Sequence, residues 1–238
     1  MLADAERHAG QFMRAAETYQ RVSSAFDRLG LADTASNAVL LNNWAIDLVA
    51  LGQPVRAARL IERVMEIDRA SGGVDGFTST VYARILVQLE RPAEARAVLE
   101  PALQNAVRNG NRNSANMVRM ALAGADRETG DLVRAATMLD AAQREISTML
   151  PPGHEAFGAL HSSRAQLAYR GRDLAAALVE VDQAIRVFGA RPGLVEREAT
   201  ARELKSRILL DLGRLDEALR EAQRGRQAFD ELLGPSAT

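Results

Sequence analysis

Small and apolar residues recur along this chain with a period of about forty residues. Six similar segments begin at Gly10, Gly52, Glu90, Gly130, Arg172 and Gly213. Five positions after each start stands an alanine: Ala15, Ala57, Ala95, Ala135, Ala177 or Ala218. Nine positions after each start lies another apolar residue: Tyr19, Ile61, Leu99, Leu139, Val181 or Ala222. Self-similarity at such a period predicts a protein built from repeated units.

A second column of small residues precedes the segment starts by seven positions. From the second segment on, it consists of Ala45, Ala83, Ala123, Ala165 and Ser206. Small residues at matched positions allow two helix axes to approach closely, while larger apolar side chains fill the grooves around them. Each repeat is therefore predicted to be a helix, a tight turn and a second helix packed antiparallel to the first.

The residues between the two predicted helices have the chemistry of a helix end followed by a helix start. Most of the segments begin with glycine, which adopts the left-handed conformation that commonly ends a helix. Asp131, Asp173 or Gln53 then stands near the next helix start, where an N-cap is expected. Pro54 and Pro92 fall in the first helical turn, where proline removes no hydrogen bond.

Composition supports an all-α fold and argues against several classes of function. Apolar residues make up 47% of the 238 residues but aromatic residues only 4%, which favours close-packed helices over sheets. The net charge of -1 provides no positive field for non-specific nucleic-acid binding. Cysteine is absent, and there is no apolar run of roughly 18 residues that could span a membrane. We expect a cytoplasmic protein with no nucleic-acid or membrane partner.

Residues capable of catalysis or metal binding do not form a familiar constellation in the sequence. His154, Glu155 and His161 lie in the stretch HEAFGALH, whose histidine spacing differs from the HExxH that places both imidazoles on one helix face. The glycines of ASGGVDG follow a predicted helix rather than a strand, which indicates a linker and not a phosphate-binding loop. No pattern resembles a nucleophile with its base and orienting group. We predict that this chain is not an enzyme and uses no cofactor or metal.

The repeat pattern resembles that of the tetratricopeptide repeat (TPR) family. The alanine five positions after the turn is followed, twelve positions after the turn, by a small residue: Ala102, Ala142 or Ala184. The period is near forty residues rather than about 34, and Glu90 and Arg172 replace the turn glycine. The longer period is similar to that of kinesin light chains and of many bacterial signalling proteins. Their LNNLA segment is matched here by residues 41–45, LNNWA.

The resemblance implies a right-handed α-solenoid of tandem antiparallel helix hairpins. Residues 1–238 would form a single solenoid, with a partial repeat over 1–33 and repeats over 34–73, 74–112, 113–153, 154–193 and 194–234. Neither end resembles the polar cap that a solenoid needs. Only nine residues precede Gly10, and the closing FDELLGPSAT resembles the start of a further repeat. We therefore expect a segment of a longer polypeptide, or a chain that associates end to end with itself.

In the TPR family, the first helix of each repeat lines the concave side of the superhelix, and its outward face contacts the ligand. The resemblance therefore implies a ligand-binding groove lined by Asn42, Asn43, Thr80, Arg84, Gln88, Met120, Arg127, Ser162, Gln166, Tyr169, Arg170, Glu203 and Arg207, with Ile46 and Val49 beside them.

Two interpretations of the adjacent amides Asn42 and Asn43 remain open. Asparagine is a poor helix former, so two together within a predicted helix call for a reason. Their donors and acceptors could hold the backbone of an extended peptide. Alternatively, they bond to a neighbouring helix or to water and stiffen the stack.

The arginines on the same predicted face also have two interpretations. Arg84, Arg127, Arg170 and Arg207 recur in four consecutive repeats and suggest an acidic or carboxylate-bearing ligand, because arginine clamps carboxylates bidentately. The abundance of arginine favours the other interpretation, a solvated face with intrahelical ion pairs such as Arg127 with Glu128.

The sequence as a whole predicts a protein–protein interaction scaffold that binds a peptide or protein segment in its concave groove. The alternative is the C-terminal sensor or regulatory region of a larger bacterial signalling protein, such as a serine/threonine kinase or a transcriptional regulator. Long-period TPRs often occupy such regions.

Overall fold

The protein is described by a computed structural model that covers residues 12–71 and 73–233. This part of the chain forms α-helices joined by short turns, and no strand occurs in it. The helices are α1 (Phe12–Arg28), α2 (Ala35–Ala50), α3 (Pro54–Ala70), α4 (Gly76–Gln88), α5 (Pro92–Arg108), α6 (Arg112–Thr129), α7 (Leu132–Met149), α8 (Glu155–Arg170), α9 (Leu174–Gly189), α10 (Val195–Asp211) and α11 (Leu215–Leu233), with a 3-10 turn at Pro192–Leu194. The predicted all-α fold is confirmed.

The helices form two compact units, which we call unit 1 (through Thr129) and unit 2 (from Gly130). In unit 1, α2 packs with α3 and α4 packs with α5 as hairpins, while α1 lies on α2 and α6 lies on both α4 and α5. In unit 2, α8 with α9 and α10 with α11 form hairpins, α7 packs on α8, and α10 packs on α9. Each unit is thus a succession of helix hairpins of the TPR-like solenoid class, as predicted. The single-solenoid domain boundaries stay a prediction.

The repeated small residues lie where helices approach each other. Ala57, Ala95, Ala135 and Ala177 are all 0% exposed. The column in the first helices is buried as well, from Ala45 at 0% to Ser206 at 8%. Close packing of this kind leaves no room for a longer side chain, so these positions account for the regularity of the sequence pattern.

Contact between successive first helices is also close in unit 1. A methyl group added to Gly76 at the start of α4 would lie 2.1 Å from Ser114 Oγ on α6. Gly76 is itself buried. Glycine at this position therefore permits the approach of α4 to α6.

The turns inside the hairpins share one backbone geometry. Gly52 and Gly213 have φ angles of 68° and 73°, and the non-glycine residues Glu90 and Arg172 have φ angles of 59° and 63°. The following residue donates its N–H to a carbonyl five residues earlier, for example from Arg91 to Leu86 at 2.8 Å and from Asp173 to Ala168 at 3.0 Å. This pattern closes the last turn of the first helix. Repeats that lack the turn glycine thus adopt the same left-handed conformation.

The helix starts agree with the capping expectations in part. Asp131 accepts a hydrogen bond from the N–H of Arg134, and Asp173 accepts one from the N–H of Ala176. Pro54 and Pro92 are the first residues of α3 and α5. Gln53, which precedes α3, makes no capping hydrogen bond through its side chain, so proline rather than a cap defines this helix start. The predicted turn at Gly10 and the closing sequence from Gly234 lie outside the described residues.

A buried carboxylate connects the helices of the last hairpin in unit 2. Glu221 on α11 is 6% exposed and accepts hydrogen bonds from Arg202 at 2.7 Å and Arg224 at 3.0 Å. Lys205 on α10 lies 3.4 Å from Glu221 and 2.8 Å from Asp182 on α9. Burial raises the pKa of Glu221, but the hydrogen bond from Arg202 and the charges of Lys205 and Arg202 outweigh burial and lower it. Three helices are therefore linked through charged side chains.

Candidate functional site: the outward faces of the first helices

The first helices of unit 1 leave one narrow stripe of side chains uncovered. Along α2, Leu40, Leu41, Trp44, Ala45 and Leu48 are buried. The stripe between the buried positions carries Val39, Asn43 and Ile46, and on α4 the matching stripe carries Phe77, Thr80 and Arg84. We call these six residues the α2–α4 face.

Two large apolar side chains stand out on the α2–α4 face. Val39 is 59% exposed and Phe77 is 44% exposed. Each lies six positions before the buried small residue of its helix, Ala45 or Ala83. The same position on α6 is Met117, which is half-buried. Sequence analysis did not single out this column, although its period is visible in the sequence.

Charge is scarce on the α2–α4 face. The only charged residue of α2 is Asp47, and it is fully buried. The only charged residue of α4 is Arg84, and it is exposed. The second helix α3, by contrast, carries arginine and glutamate along its exposed side, including Arg59, Glu62 and Arg63. The face therefore consists of three apolar residues, two uncharged polar residues and a single positive charge.

The adjacent amides have different surroundings. Asn42 is 6% exposed, and its Nδ2 donates to Oγ1 of the buried Thr78 on α4 at 3.4 Å. Asn43 is half-buried on the α2–α4 face. For Asn42, the geometry is that of the second interpretation, a bond to the neighbouring first helix. Its role in ligand binding stays a prediction, as does that of Asn43.

The remaining groove residues predicted in unit 1 lie at the ends and flanks of their helices. Thr80 is half-buried, and its hydroxyl donates to the carbonyl of Gly76 at 2.7 Å. Gln88 is exposed at the end of α4, and Met120 is half-buried on α6.

Arg127 at the end of α6 forms an ion pair with its neighbour Glu128 at 2.8 Å. This is the intrahelical pair anticipated from the sequence. The adjacent Asp126 is fully buried, and Arg96 on α5 holds its carboxylate at 2.6 Å. Because Asp126 is enclosed, its charge contributes to packing within unit 1 rather than to an open site.

The predicted groove residues of unit 2 lie on α8 and α10. Ser162, Gln166 and Tyr169 are half-buried, and Arg170 is exposed. We call Ser162, Gln166, Tyr169 and Arg170 the α8 face. On α10, Glu203 and Arg207 are exposed and form an ion pair with each other one turn apart.

A further pair of side chains joins the end of α8 to α10. Arg172, in the left-handed turn after α8, donates to Asp211 Oδ2 at 2.7 Å. The pKa of Tyr169 is raised, mainly because the side chain is partly buried and secondly because its hydroxyl donates a hydrogen bond to Asp211. Neither Arg172 nor Asp211 was predicted as a site residue, because the contact joins residues 39 positions apart in sequence.

The two histidines in the described part of the chain, His154 and His161, make contacts within unit 2. His154 caps α8, its Nδ1 accepting from the N–H of Ala156 at 3.2 Å. His161 Nδ1 lies 2.6 Å from Glu180 Oε2 on α9. Within the described ranges, 12–71 and 73–233, no group of three or more histidine, cysteine, aspartate or glutamate side chains is placed to hold a metal ion. None of the helices described is long and apolar enough to cross a membrane.

Solved structures with the same fold include three proteins of low sequence identity to this chain. BtubC (BKLC) from P. vanneervenii has a TM-score of 0.62 at 14% identity, covering 98% of this chain and 94% of that protein. A variant of a putative kinesin light chain from P. anserina, with nearly identical TPR-like repeats, has a TM-score of 0.63 at 18% identity, covering 78% and 91%. A signal transduction ATPase with a tetratricopeptide repeat sensor, PH0952 from Pyrococcus horikoshii, has a TM-score of 0.58 at 15% identity, and the match covers 98% of this chain but 36% of that protein.

These likenesses concern the fold and include the kinesin light chain type of repeat that the sequence pattern resembles. No curated protein matches the chain by sequence. The sequence profile of the tetratricopeptide repeat family matches residues 82–149 and 162–231, and since these segments make up more than half of the chain, the protein belongs to the tetratricopeptide repeat family.

Proposed function

We propose that the chain is a protein–protein interaction scaffold whose first helices bind a peptide or protein segment. The observation that supports this most directly is the pair Val39 and Phe77, which are exposed in matching register on helices whose other sides are buried. Clustered apolar surface with a polar rim is typical of interaction sites. Apolar side chains of the bound segment would cover these two residues.

Polar groups beside the apolar pair can orient the segment. Asn43 lies half-buried one turn after Val39 on α2. Its amide can donate to and accept from a peptide backbone whatever the side chains of the peptide are. The position of Asn43 therefore suits recognition of extended backbone, and Val39 and Phe77 suit selection of apolar side chains.

The charge of the α2–α4 face favours a segment that also carries a carboxylate. Arg84 is the only charged residue of α4 and is exposed. An exposed guanidinium can hold a carboxylate through two parallel hydrogen bonds. The acidic partner predicted from the arginines is thus best placed at Arg84 in unit 1.

Unit 2 offers a more polar surface. The α8 face combines an amide, a phenol and a guanidinium in Gln166, Tyr169 and Arg170. Tyr169 and Arg172 both interact with Asp211, which helps to orient the phenol. We expect the α8 face to contribute hydrogen bonds rather than apolar burial to a bound segment.

Selection from a phage-displayed random peptide library, followed by calorimetric titration of the selected peptides, tests the proposal. Phe77→Asp removes an apolar contact and introduces a charge, and it should weaken binding roughly tenfold or more. Val55→Asp on α3 is the matched control, because Val55 is 56% exposed in the same unit. It should leave the affinity unchanged.

Two results would contradict a binding role for the α2–α4 face. One is an equal loss of peptide affinity in Phe77→Asp and Val55→Asp. The other is a double variant, Phe77→Asp with Arg84→Glu, that binds the peptides as tightly as the original protein. Arg84→Glu alone should weaken acidic peptides and spare neutral ones. Its effect therefore tests the carboxylate separately from the apolar contact.

The alternative function, a regulatory region of a larger signalling protein, stays a prediction. The ATPase from Pyrococcus horikoshii has a TPR sensor within a longer chain, and this likeness extends to the fold. The sequence of the complete gene decides the alternative: an adjoining kinase, ATPase or DNA-binding domain in the same reading frame supports it, and its absence rejects it.

A further inference from the structure

Helix α11 in unit 2 carries an uncovered apolar stripe. Leu215 is 64% exposed and Leu219 is 59% exposed. Ala222 continues the stripe one turn later and is also exposed. These residues are spaced by four and three positions, which places them on one side of the helix. Large apolar side chains exposed in a row on one helix are unusual for a free surface.

The equivalent stripe of the preceding second helix is covered. Leu174 and Leu178 on α9 correspond to Leu215 and Leu219 on α11, counted from the turn of each hairpin. Leu174 and Leu178 pack in one cluster with Ala201 and Ile208 of α10. In this fold, therefore, the leucine stripe of a second helix is a surface on which another helix packs.

Charges next to the α11 stripe repeat its spacing. Asp216 and Arg220 are both exposed and, like Leu215 and Leu219, lie four residues apart. Neither of them enters a salt bridge within the described part of the chain. Helix α11 thus presents two leucines four residues apart and, beside them, an acidic and a basic residue that are also four residues apart.

We propose that a second copy of this chain packs its own α11 antiparallel against this stripe. In a two-fold arrangement, residue i of one copy contacts residue j of the other, and residue j contacts residue i. One axis near Glu217 then places Leu215 against Leu219 of the second copy and brings Asp216 beside Arg220 of the second copy. A single symmetry axis can serve both pairs, because their midpoints, Glu217 and Ala218, are one residue apart, a rise of about 1.5 Å along the helix.

The charge pattern favours a second copy over a helix of unrelated sequence. A face with one acidic and one basic residue flanking two leucines is complementary to itself in the antiparallel orientation. The proposed contact involves α11 alone, so it is independent of the α2–α4 face and of peptide binding.

Sedimentation equilibrium over a range of concentrations tests the proposal with the whole chain. The 25.8 kDa chain should show a reversible shift to twice that mass. Leu219→Glu should raise the dimer dissociation constant roughly tenfold or more, because two charges would be buried against leucine. Val179→Glu, at an exposed valine on α9 (63%), is the matched control and should leave the constant unchanged.

A charge exchange tests the two-fold pairing itself. Asp216→Arg should weaken the dimer by placing arginine beside Arg220 of the second copy, and adding Arg220→Asp in the same chain should restore it. A wild-type protein that remains a monomer at every concentration would overturn the proposal and leave the stripe to a helix of another polypeptide. So would a dimer that Leu219→Glu and Val179→Glu affect equally, or a double exchange that fails to restore the wild-type constant.

Discussion

Asn42 and Asn43 are adjacent in sequence, but their side chains differ in burial and in surroundings. Asn42 is buried and bonded to Thr78, whereas Asn43 is half-buried on the α2–α4 face. Asn42→Ala should therefore destabilise the fold by about 1 kcal/mol more than Asn43→Ala. The two substitutions change helix propensity equally, so their difference reports the contacts. Urea unfolding of both variants measures it.

The same pair of variants should rank in the opposite order for binding. Asn43→Ala should weaken a selected peptide, and Asn42→Ala should not, provided that the comparison is made below the unfolding transition. A larger loss of peptide affinity for Asn42→Ala would mean that the backbone-binding amide has been assigned to the wrong asparagine.

Glu90 and Arg172 hold a backbone conformation that costs energy for any residue with a Cβ. Their φ angles of 59° and 63° match those of the turn glycines. Glu90→Gly should stabilise the protein by about 0.5–1 kcal/mol. Glycine removes the energetic cost of the left-handed conformation, and this gain exceeds the loss that comes from the greater conformational entropy of glycine in the unfolded chain. Arg172→Gly should stabilise it less, since it also removes the bond from Arg172 to Asp211. Differential scanning calorimetry gives both values.

Gly213→Ala is the matched control for these turns, because Gly213 has a φ angle of 73°. It should destabilise the protein. If Glu90→Gly and Gly213→Ala changed stability in the same direction, conformational strain would not be the property that distinguishes these positions.

Among the helices, the close crossings depend on alanine. Ala177 on α9 is 0% exposed and belongs to the core of unit 2. Ala177→Leu should cost about 1–3 kcal/mol, because extra methylene groups force a packed crossing apart. Ala175→Leu on the same helix, at an exposed position, should cost far less. Similar urea midpoints for the two variants would count against alanine as the determinant of helix approach.

The charged link among α9, α10 and α11 should make unit 2 sensitive to acid. The pKa of Glu221 is lower in the folded protein than its ordinary value of 4.5. The folded state therefore binds a proton less readily than the unfolded state, so the stabilisation is complete above this value and is lost as pH falls through the lowered pKa. Glu221→Gln should reduce stability at neutral pH by about 1–3 kcal/mol and flatten the loss of stability in acid.

Glu217→Gln is the control for this element. Its carboxylate also has a lowered pKa, caused mainly by a hydrogen bond from Arg214, but its side chain is 43% exposed and lies on the opposite side of α11 from the stripe. Unfolding free energies measured from pH 3 to pH 7 should change much less than for Glu221→Gln. Parallel pH profiles for the wild type and Glu221→Gln would rule out the buried carboxylate as the acid-sensitive group.

Hairpins and turns could be predicted from the sequence because each depends on local chemistry that recurs. The columns from Ala57 to Ala177 mark the crossings, and left-handed turns occur at the three segment starts with glycine that the structure describes, Gly52, Gly130 and Gly213. Even the exceptions, Glu90 and Arg172, could be placed by register alone. The period of the sequence predicts the hairpins well, because each repeat packs against its neighbours through the same positions.

The candidate site was less predictable because its residues depend on how neighbouring helices are rotated. Asn42 and Asn43 differ by one position, or about 100° around the helix, and the sequence alone does not show which of the two amides bonds to Thr78. Val39 and Phe77 were missed since an apolar residue on an apolar helix gives no sign of exposure. Their shared register with Ala45 and Ala83 was the available signal.

At the scale of the whole molecule, the two units differ in surface chemistry. The first helices α2 and α4 of unit 1 each contain one charged residue, whereas α10 in unit 2 carries many. A segment bound to unit 1 would need apolar groups, and a segment bound to unit 2 would need polar or charged groups. Salt should weaken binding to α10, which carries many charged residues, more than binding to the α2–α4 face, which titration of a selected peptide in increasing salt would show.

Methyl NMR of the chain during titration with a selected peptide tests the central claim most directly. Val39 and Ile46 report on the α2–α4 face, and Val55 and Val107 report on the exposed sides of the second helices α3 and α5. The account predicts that the methyl signals of Val39 and Ile46 shift with the affinity measured by calorimetry while those of Val55 and Val107 stay in place. Saturable shifts at Val55 and Val107 without shifts at Val39 and Ile46 would contradict the claim that the first helices bind the partner.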